Sequence, residues 1–174
     1  MLFRSANAVR AAFADALFVC PAVMFGPDDA FLTTILRLLR QLPIYPMFGR
    51  GLTRLQPASV EDVAEAVGRI MQRAEMPSTI FEFGSPRVYS YEEFLRAVAH
   101  QAGLAPRLIP IPLVVWHALA WASEMFPSPL LTRNQVELMQ IDTVSSPDMP
   151  GFVELGISPH SVEALLERML SNRG

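Results

Sequence analysis

The apolar run ALFVC at residues 16–20 is the most restrictive element of the sequence. A continuous run of this kind is typical of a parallel β-strand that is covered on both faces. Residues 6–14, just before it, have the apolar spacing of the end of a helix. A helix followed by such a strand is the second half of a β–α–β unit, so we expect the rest of the sheet to lie upstream. Residues 1–5 follow neither pattern, and we expect them to be a non-native start.

The remainder of the chain alternates helical and extended patterns, which predicts an α/β fold with a helical tail. There is no internal repeat and no low-complexity tract, and residues 142–152 have no clear period. The predicted elements after the first strand are helix 30–42, a short strand and turn at 45–51, helix 60–74, strand 78–83, helix 91–102, an extended segment at 107–111, and helices 113–125, 133–140 and 160–170.

Several polar residues mark predicted helix ends. Ser59, with Asp62 three residues later, resembles an N-terminal capping box, and Ser90 and Thr132 are expected N-caps. Gly103 is expected to end helix 91–102. The apolar stripes of the first two helices after the first strand are predicted to be buried; they consist of Phe31, Ile35, Leu38, Leu39 and Leu42, and of Val60, Val63, Ala64, Val67, Ile70 and Met71.

Composition narrows the class of protein. The chain is 51% hydrophobic and only 18% charged, with a formal net charge of −3, whereas about 25% charged residues is usual. The absence of a basic cluster argues against nucleic acid as a partner. No apolar run approaches the roughly 20 residues that cross a bilayer. The single cysteine, Cys20, excludes a disulfide framework, so we expect a cytoplasmic globular protein in a reducing compartment.

The sequence offers little catalytic chemistry. His100, His117 and His160 have no metal-ligand spacing, so no metal site is predicted. The chain contains no GxSxG nucleophile elbow and no glycine-rich phosphate loop, and we assign no catalytic residue. In open α/β sheets, ligands bind beyond the carboxyl ends of the strands. Residues 21–23, directly after the first strand, are therefore a candidate ligand contact; the alternative is an ordinary strand-to-helix connection.

Three segments occur in an order that resembles one superfamily. They are PAVMFGPDDAFL (21–32), PIYPMFGRGLTRLQPASVEDVAEAV (43–67) and FEFGSPRVYSYEEFLRAVAHQAG (81–103). Together they are similar to the C-terminal half of extended, or atypical, short-chain dehydrogenase/reductases, which form the NAD-dependent epimerase/dehydratase superfamily. The most similar branch contains the nucleotide-binding accessory subunit of complex I (NADH:ubiquinone oxidoreductase) and its bacterial relatives. The similarity extends from residue 6 to about residue 170.

The resemblance implies a fragment. Complete members begin with a Rossmann domain that carries a GxxGxxG loop and, further on, a YxxxK pair, and neither motif occurs here. Residues 6–28 would then be the end of a Rossmann-type domain, with the last strands of its sheet, and residues 29–174 a mostly helical substrate lobe. The expected fold class is the C-terminal fragment of a Rossmann-type α/β protein whose N-terminal half is missing.

The resemblance also implies a cofactor, NAD or NADP, in the intact parent protein. Pro21, Ala22 and Val23 would line the nicotinamide end of the cofactor cleft. Arg54 and Gln56 would contact a small-molecule substrate of unknown identity. The fragment itself is predicted to be inactive, because the tyrosine and lysine that move the proton in this superfamily lie upstream.

Four positions depart from the pattern of the superfamily. Cys20 stands where relatives commonly have arginine. Val23, Leu55 and Ser59 stand where sugar-nucleotide epimerases have asparagine, arginine and histidine. These departures disfavour a nucleotide-sugar substrate.

Two alternatives stay open for the parent protein. It is an NAD(P)-dependent epimerase, dehydratase or other carbonyl reductase, or it is a non-catalytic nucleotide-binding subunit of a respiratory membrane complex, peripheral to the inner membrane. An intact upstream YxxxK pair would favour the enzyme. Residues 114–126 (VVWHALAWASEMF) are predicted to be the core of the substrate lobe in the first case and a docking face in the second.

Overall fold

The computed structural model describes residues 2–26, 29–73, 80–126 and 131–171. Parts of two predicted elements, residue 74 of a helix and residues 78–79 of a strand, lie outside these ranges. In chain order the elements are α1 (Leu2–Ala12), β1 (Phe18–Pro21), β2 (Met24–Phe25), α2 (Ala30–Gln41), β3 (Ile44–Phe48), β4 (Arg54–Leu55), β5 (Ala58–Ser59), α3 (Val60–Gln72), β6 (Ile80–Phe83), β7 (Tyr89–Ser90), α4 (Tyr91–Gln101), β8 (Arg107–Ile111), α5 (Leu113–Ser123), α6 (Arg133–Leu138), a 3₁₀ helix (Val153–Leu155) and α7 (Val162–Ser171).

The strands of the described ranges associate in pairs. β1 and β6 are parallel, with Phe18 opposite Ile80 and Pro21 opposite Phe83. β3 and β8 are parallel over their full lengths. β2 pairs with β5 in parallel and β4 pairs with β7 antiparallel, each over two residues. Parallel pairs need long crossover connections, and the intervening helices supply them, so the predicted α/β class is confirmed.

Two hydrophobic cores hold these pairs together. The first core lies between α2, β3, α4 and α7 and includes the fully buried Leu32 and Leu95. The second core lies between α3, β6 and the 3₁₀ helix and includes Phe81, Phe83 and Phe152. Burial of these apolar side chains is the main source of stability of the fold.

The first strand is less buried than its sequence predicts. All residues of β1 are partly exposed, whereas Phe81 and Phe83 of its partner β6 are fully buried. Within the described part of the chain, β1 pairs with β6 alone. The prediction of a strand covered on both faces is therefore wrong for these residues, and the strand begins at Phe18 rather than at residue 16.

The capped helix ends agree with the sequence. Ser90 and Thr132 each form a complete capping box, with Glu93 and Gln135 respectively. Gly103 follows α4 with a φ of 67°, a conformation that glycine adopts without strain. Local polar signals were sufficient to predict these ends.

Three details of the predicted helices are wrong. α1 begins at Leu2, so this helix includes residues that follow no clear pattern in the sequence. The Ser59 hydroxyl accepts from the Glu61 N–H, and the buried Asp62 carboxylate accepts from the backbone N–H of His160 instead of capping α3. The buried stripes are also shifted around the helix axes: Leu42, Val60, Ala64 and Met71 are exposed, whereas Leu32, Leu36 and Ala66 are buried.

α5 differs most from its predicted burial. Ala120 is fully buried, but Val114, Leu119 and Trp121 are 79%, 52% and 61% exposed. The prediction that residues 114–126 form a lobe core is therefore wrong for most of this helix, because only one narrow side packs against the rest of the chain. Despite this apolar surface, neither α5 nor any other helix within the described ranges is long and apolar enough to cross a bilayer.

Candidate functional site

The three predicted cofactor contacts lie where β1 ends. Pro21 is the last residue of β1, and the Ala22 N–H donates to the Phe83 carbonyl over 2.8 Å. The Val23 carbonyl accepts from the Ala58 N–H, also at 2.8 Å. Residues 21–23, which we call the strap, therefore cross from the β1–β6 pair to the β2–β5 pair. All three side chains are partly exposed, so the strap presents an uncharged surface at the carboxyl ends of two parallel strands.

Gln56 connects three segments beside the strap. Its Nε2 donates to the Ser85 carbonyl over 2.8 Å, and its Oε1 accepts from the N–H and Oγ of Ser145 at 2.9 and 2.8 Å. The path of the Gln56 side chain requires glycine at position 84, because a Cβ there would lie 2.5 Å from the Gln56 Cδ. The amide thus holds the turn after β6 and the segment around Ser145 in fixed positions.

Arg54 holds the same distant segment by charge. Its backbone N–H and its Nε donate to the two carboxylate oxygens of Asp142 over 2.8 and 2.9 Å, and these hydrogen bonds hold the pKa of Asp142 below its ordinary value. Both side chains are largely exposed. Leu55 forms an isolated bridge with Thr143 between these contacts. Arg54 and Gln56 are thus engaged by the chain itself, and their contact with a substrate stays a prediction.

Cys20 lies in β1 opposite Glu82 of β6. Burial, and secondarily the Glu82 carboxylate, raise the pKa of the Cys20 thiol. Because the thiolate is the nucleophile in cysteine chemistry, this environment makes the Cys20 thiol less nucleophilic than a fully exposed one.

Histidine and acidic residues are dispersed. Across residues 2–26, 29–73, 80–126 and 131–171, no group of three or more His, Cys, Asp or Glu side chains could hold a metal ion. His160 Nδ1 lies 2.6 Å from the Asp62 carboxylate, which is a structural pair that joins the start of α3 to the segment before α7.

A cavity of about 480 Å³ lies between α2, β3, α5 and α6. Every described side chain that lines it is uncharged, and most are apolar. No pattern in the sequence predicts this cavity, because segments far apart in the chain contribute to its wall. The aromatic and aliphatic side chains of the wall include Phe31, Ile35, Leu38, Phe48, Trp116 and Leu138.

Two buried tyrosines contribute hydroxyl groups to the cavity wall, which also includes the polar side chains of Thr34 and Gln135. The hydroxyl oxygens of Tyr45 and Tyr91 lie 3.2 Å apart, and these residues are only 5% and 4% exposed. Burial raises the pKa of both phenols above the ordinary value. Both tyrosines therefore remain protonated, which makes the pair a neutral hydrogen-bonding group in an apolar cavity.

Comparison with curated proteins gives complex I subunits and a reductase among the relatives. No protein-family model matches the chain. It is 29% identical over 161 residues to NADH dehydrogenase (ubiquinone) 1 alpha subcomplex subunit 9 of Rattus norvegicus, covering 89% of this chain and 41% of that protein. The Arabidopsis thaliana protein of the same name is 26% identical over 167 residues, 90% of this chain and 42% of that protein. The ceramide reductase of Caulobacter vibrioides is 29% identical over 106 residues, 61% of this chain and 33% of that protein.

Solved structures share the fold at lower identity. The UDP-glucose 4-epimerase of Thermus thermophilus, in complex with NAD, aligns with a TM-score of 0.62 and 18% identity over 98% of this chain and 51% of that one. RMD from Pseudomonas aeruginosa, complexed with NADPH, aligns with a TM-score of 0.56 and 14% identity over 90% and 47%. The chain therefore spans about two-fifths of the length of its subunit relatives and half of these structures. The predicted resemblance is confirmed: the chain is related to the complex I subunits and has the fold of the NAD-dependent epimerase/dehydratase superfamily of short-chain dehydrogenase/reductases.

Proposed function

We propose that the chain is the C-terminal part of a protein that binds NAD or NADP, with residues 6–28 completing a Rossmann-type domain and residues 29–174 forming a substrate lobe. The observation that carries the proposal is the half-exposed strand β1, whose apolar composition is that of an internal strand but whose only strand partner within the described ranges is β6. A further strand on its second edge would complete its burial. The partial coverage of the relatives supports the same conclusion.

In this proposal the strap closes one side of the cofactor cleft. Pro21, Ala22 and Val23 offer backbone and apolar contacts at the carboxyl ends of two parallel strands, which is where ligands of open α/β sheets bind. The chain has no glycine-rich loop, so the dinucleotide phosphates would be held by the upstream half. Arg54 and Gln56 would shape the substrate side of the cleft by fixing the segment from residue 142 to residue 145.

We propose that the chain alone does not turn over a substrate. It lacks the YxxxK pair, and burial makes its Cys20 thiol less nucleophilic than a fully exposed one. For the whole protein we favour a carbonyl reductase over an epimerase or dehydratase that acts on a nucleotide sugar, because Val23 and Leu55 replace the polar residues of the latter group. The relative named ceramide reductase supports a reductase.

Sequencing of the source DNA upstream of the Ala6 codon tests this function. A reading frame that continues through YxxxK to GxxGxxG is expected. In the protein so defined, Val23→Trp should weaken NADH binding at least tenfold, whereas Val88→Trp, at an exposed valine far from the strap in sequence, should not. A start codon at Met1 without an upstream frame, or measurable nicotinamide-dependent turnover by the purified chain, would contradict the proposal.

A second candidate function is docking on a respiratory membrane complex from the periphery of the inner membrane. The exposed apolar side chains on and after α5, among them Trp121 at 61% and Phe126 at 69% exposure, favour it. Trp121→Glu should leave the melting temperature unchanged, because the side chain is exposed, and should abolish co-sedimentation with membranes that contain the complex. Unchanged co-sedimentation would exclude this face as the docking site.

A further inference from the structure

We propose that the cavity between α2, β3, α5 and α6 binds the aliphatic part of an uncharged ligand, and that the Tyr45–Tyr91 hydroxyl pair donates a hydrogen bond to an oxygen of that ligand. The inference deepens the proposed function and rests on it only in naming the substrate class of the lobe. Binding in the cavity itself requires neither the strap nor a nicotinamide cofactor.

The size and lining of the cavity select an apolar molecule. Its volume of about 480 Å³ lies within the roughly 300–1,000 Å³ that small-molecule sites occupy. Among the residues that the structure describes, no charged side chain lines it, so a phosphate or carboxylate would lose its hydration without gaining a partner there. An alkyl chain would instead remove apolar surface from water on both sides of the contact.

One wall of the cavity is already fixed in position. The rings of Phe48 and Trp116 lie 4.3 Å apart, and the Trp116 Nε1–H donates to the Met47 carbonyl over 3.1 Å. The indole donor is therefore used within the chain, and its ring presents only an apolar face. Because the wall is held before a ligand arrives, binding needs little ordering of side chains, which favours affinity.

The tyrosine pair leaves one proton without an acceptor. Whichever hydroxyl donates across the 3.2 Å between Tyr45 and Tyr91, the accepting tyrosine keeps its own O–H. No other acceptor for either hydroxyl lies within hydrogen-bond distance in the part of the chain that the structure describes. Buried donors are normally paired, and both residues are more than nine-tenths buried. A carbonyl or hydroxyl oxygen of a ligand in the cavity would accept this proton.

The same core supports the cavity and the strap. Val23 packs against the first core, whose buried members Ile35, Tyr45 and Tyr91 also line the cavity. A ligand with an alkyl chain in the cavity would therefore bind a lobe whose packing extends to the proposed nicotinamide contact. The shared packing therefore connects the proposed ligand cavity with the proposed cofactor contacts of the strap.

The test uses 2-decanone, an uncharged ketone, and decanoate, a carboxylate of equal chain length. Trp116 is the reporter, in a Trp121→Phe background that removes the second of the two tryptophans. Titration with 2-decanone should change the Trp116 fluorescence saturably and raise the melting temperature. Decanoate should bind at least tenfold more weakly. Absence of saturable binding of the ketone, or equal affinity for decanoate, would overturn the proposal.

Variants locate the site of binding. Replacing both tyrosines, Tyr45→Phe with Tyr91→Phe, should weaken 2-decanone binding about tenfold, the effect expected for one lost hydrogen bond. Tyr89→Phe is the matched control, since its hydroxyl donates to Glu163 and lies outside the cavity; it should change the affinity less than twofold. Leu38→Phe should fill the cavity and weaken binding at least tenfold. Equal effects of the control and the double variant would refute the assignment.

Folding controls keep the outcomes separate. Each variant is compared by far-UV circular dichroism, and the affinity of a variant that unfolds is not used; the comparison of ketone with carboxylate on the unsubstituted cavity then decides. If 2-decanone did not bind, the proposed cofactor contacts of the strap and the expected upstream reading frame would not be contradicted. Conversely, a start codon at Met1 would remove the proposed function without changing the expected ketone binding.

Discussion

β1 and β6 are hydrogen-bonded neighbours with similar apolar sequences, yet they are buried to different extents. The side chains of β6 alternate, with Phe81 and Phe83 fully buried, whereas those of β1 are all partly exposed. The two strands share one ladder in continuous register from Phe18 to Pro21. Strand pairing is therefore common to both, and the difference comes from what covers their faces and second edges.

Later segments of the chain cover β6. Phe152 stacks on Phe83 with ring centroids 4.5 Å apart. On the second edge, the Glu82 carboxylate accepts from the Ser146 N–H over 2.6 Å, and the Glu82 N–H donates to the Pro150 carbonyl over 3.0 Å. β1 has no strand on its second edge within the described ranges. Packing by segments that are distant in the chain therefore decides how much each strand stabilises the fold. The hydrogen-bonded ladder and the residue types of the two strands do not account for the difference.

The largest effect is expected from Phe83→Ala. This substitution removes a fully buried ring that contacts Phe81 and Phe152, and should lower the free energy of unfolding by about 3–5 kcal/mol. Val19→Ala in β1 removes partly exposed methyl groups and should cost only about 1 kcal/mol. Denaturant unfolding of both variants measures the two losses in free energy of unfolding. Equal losses would show that β1 is as well covered as β6 and would break the comparison.

A second difference separates the two cores at high pH. The buried members of the first core include Tyr45, Tyr89 and Tyr91, whereas those of the second core include no tyrosine. Burial raises the pKa of all three phenols, and burial together with Glu163 raises the pKa of Tyr89 to about 12. A pKa that is higher in the folded state gives stability that is complete below the ordinary value near 10 and is lost as the pH rises toward 12.

Denaturant midpoints measured from pH 8 to pH 11.5 check this expectation. The free energy of unfolding should fall above pH 10, and Tyr89→Phe should make that fall shallower by removing one of the three groups. Phe81→Leu, in the second core, should leave the slope unchanged. A slope that Tyr89→Phe does not alter would exclude this residue as a source of the alkaline loss.

Gln56→Leu should have an intermediate effect. It removes the hydrogen bonds to Ser85 and Ser145 and should cost about 1–3 kcal/mol, because it leaves partly buried backbone groups unpaired. Gly84→Ala should cost a similar amount, since its Cβ would displace the same amide. Gln72→Leu, on an exposed position of α3, is the matched control and should change stability by less than about 0.5 kcal/mol.

Hydrogen exchange can show which segment Gln56 holds. The amide of Ser145 should exchange faster in Gln56→Leu, while that of Leu95 in the first core should not change. Unchanged exchange at Ser145 would mean that contacts other than those of Gln56 hold this segment. The packing of the segment on β6 would then not depend on Gln56.

Structural elements that depend on neighbouring residues were predictable from the sequence, whereas polar contacts between distant residues were not. The N-cap at Ser90 and the extended run Arg107–Ile111 depend on neighbouring residues, and both were predicted. The pairing of Asp62 with His160 joins residues 98 positions apart, and no sequence pattern predicts a contact over that separation. The exposure of Trp121 depends on how much of α5 other elements cover, which its apolar composition does not reveal.

The candidate site follows the same division. The order of motifs predicted the superfamily, whereas the cofactor contact of Pro21–Val23, which follow an apolar strand, stays a prediction. The role of Gln56 was not predictable, because its partners lie in a turn and in residues 142–152, a segment without a period. The cavity was missed for the same reason, since its tyrosine pair joins residues 46 positions apart.

The smallest effect is expected from Arg54→Met, and it separates charge from burial in holding residues 142–145. The side chains of Arg54 and Asp142 are 61% and 43% exposed, and an exposed ion pair contributes about 0–1 kcal/mol. The variant keeps the backbone N–H that donates to Asp142, so the loss should be at the low end and should shrink further in high salt. Arg96→Met, which breaks an exposed pair with Glu92, is the matched control. If Arg54→Met destabilised the chain as much as Gln56→Leu, the segment that covers β6 would be held by charge at the surface. The difference in burial between β1 and β6 would then depend on ionic strength.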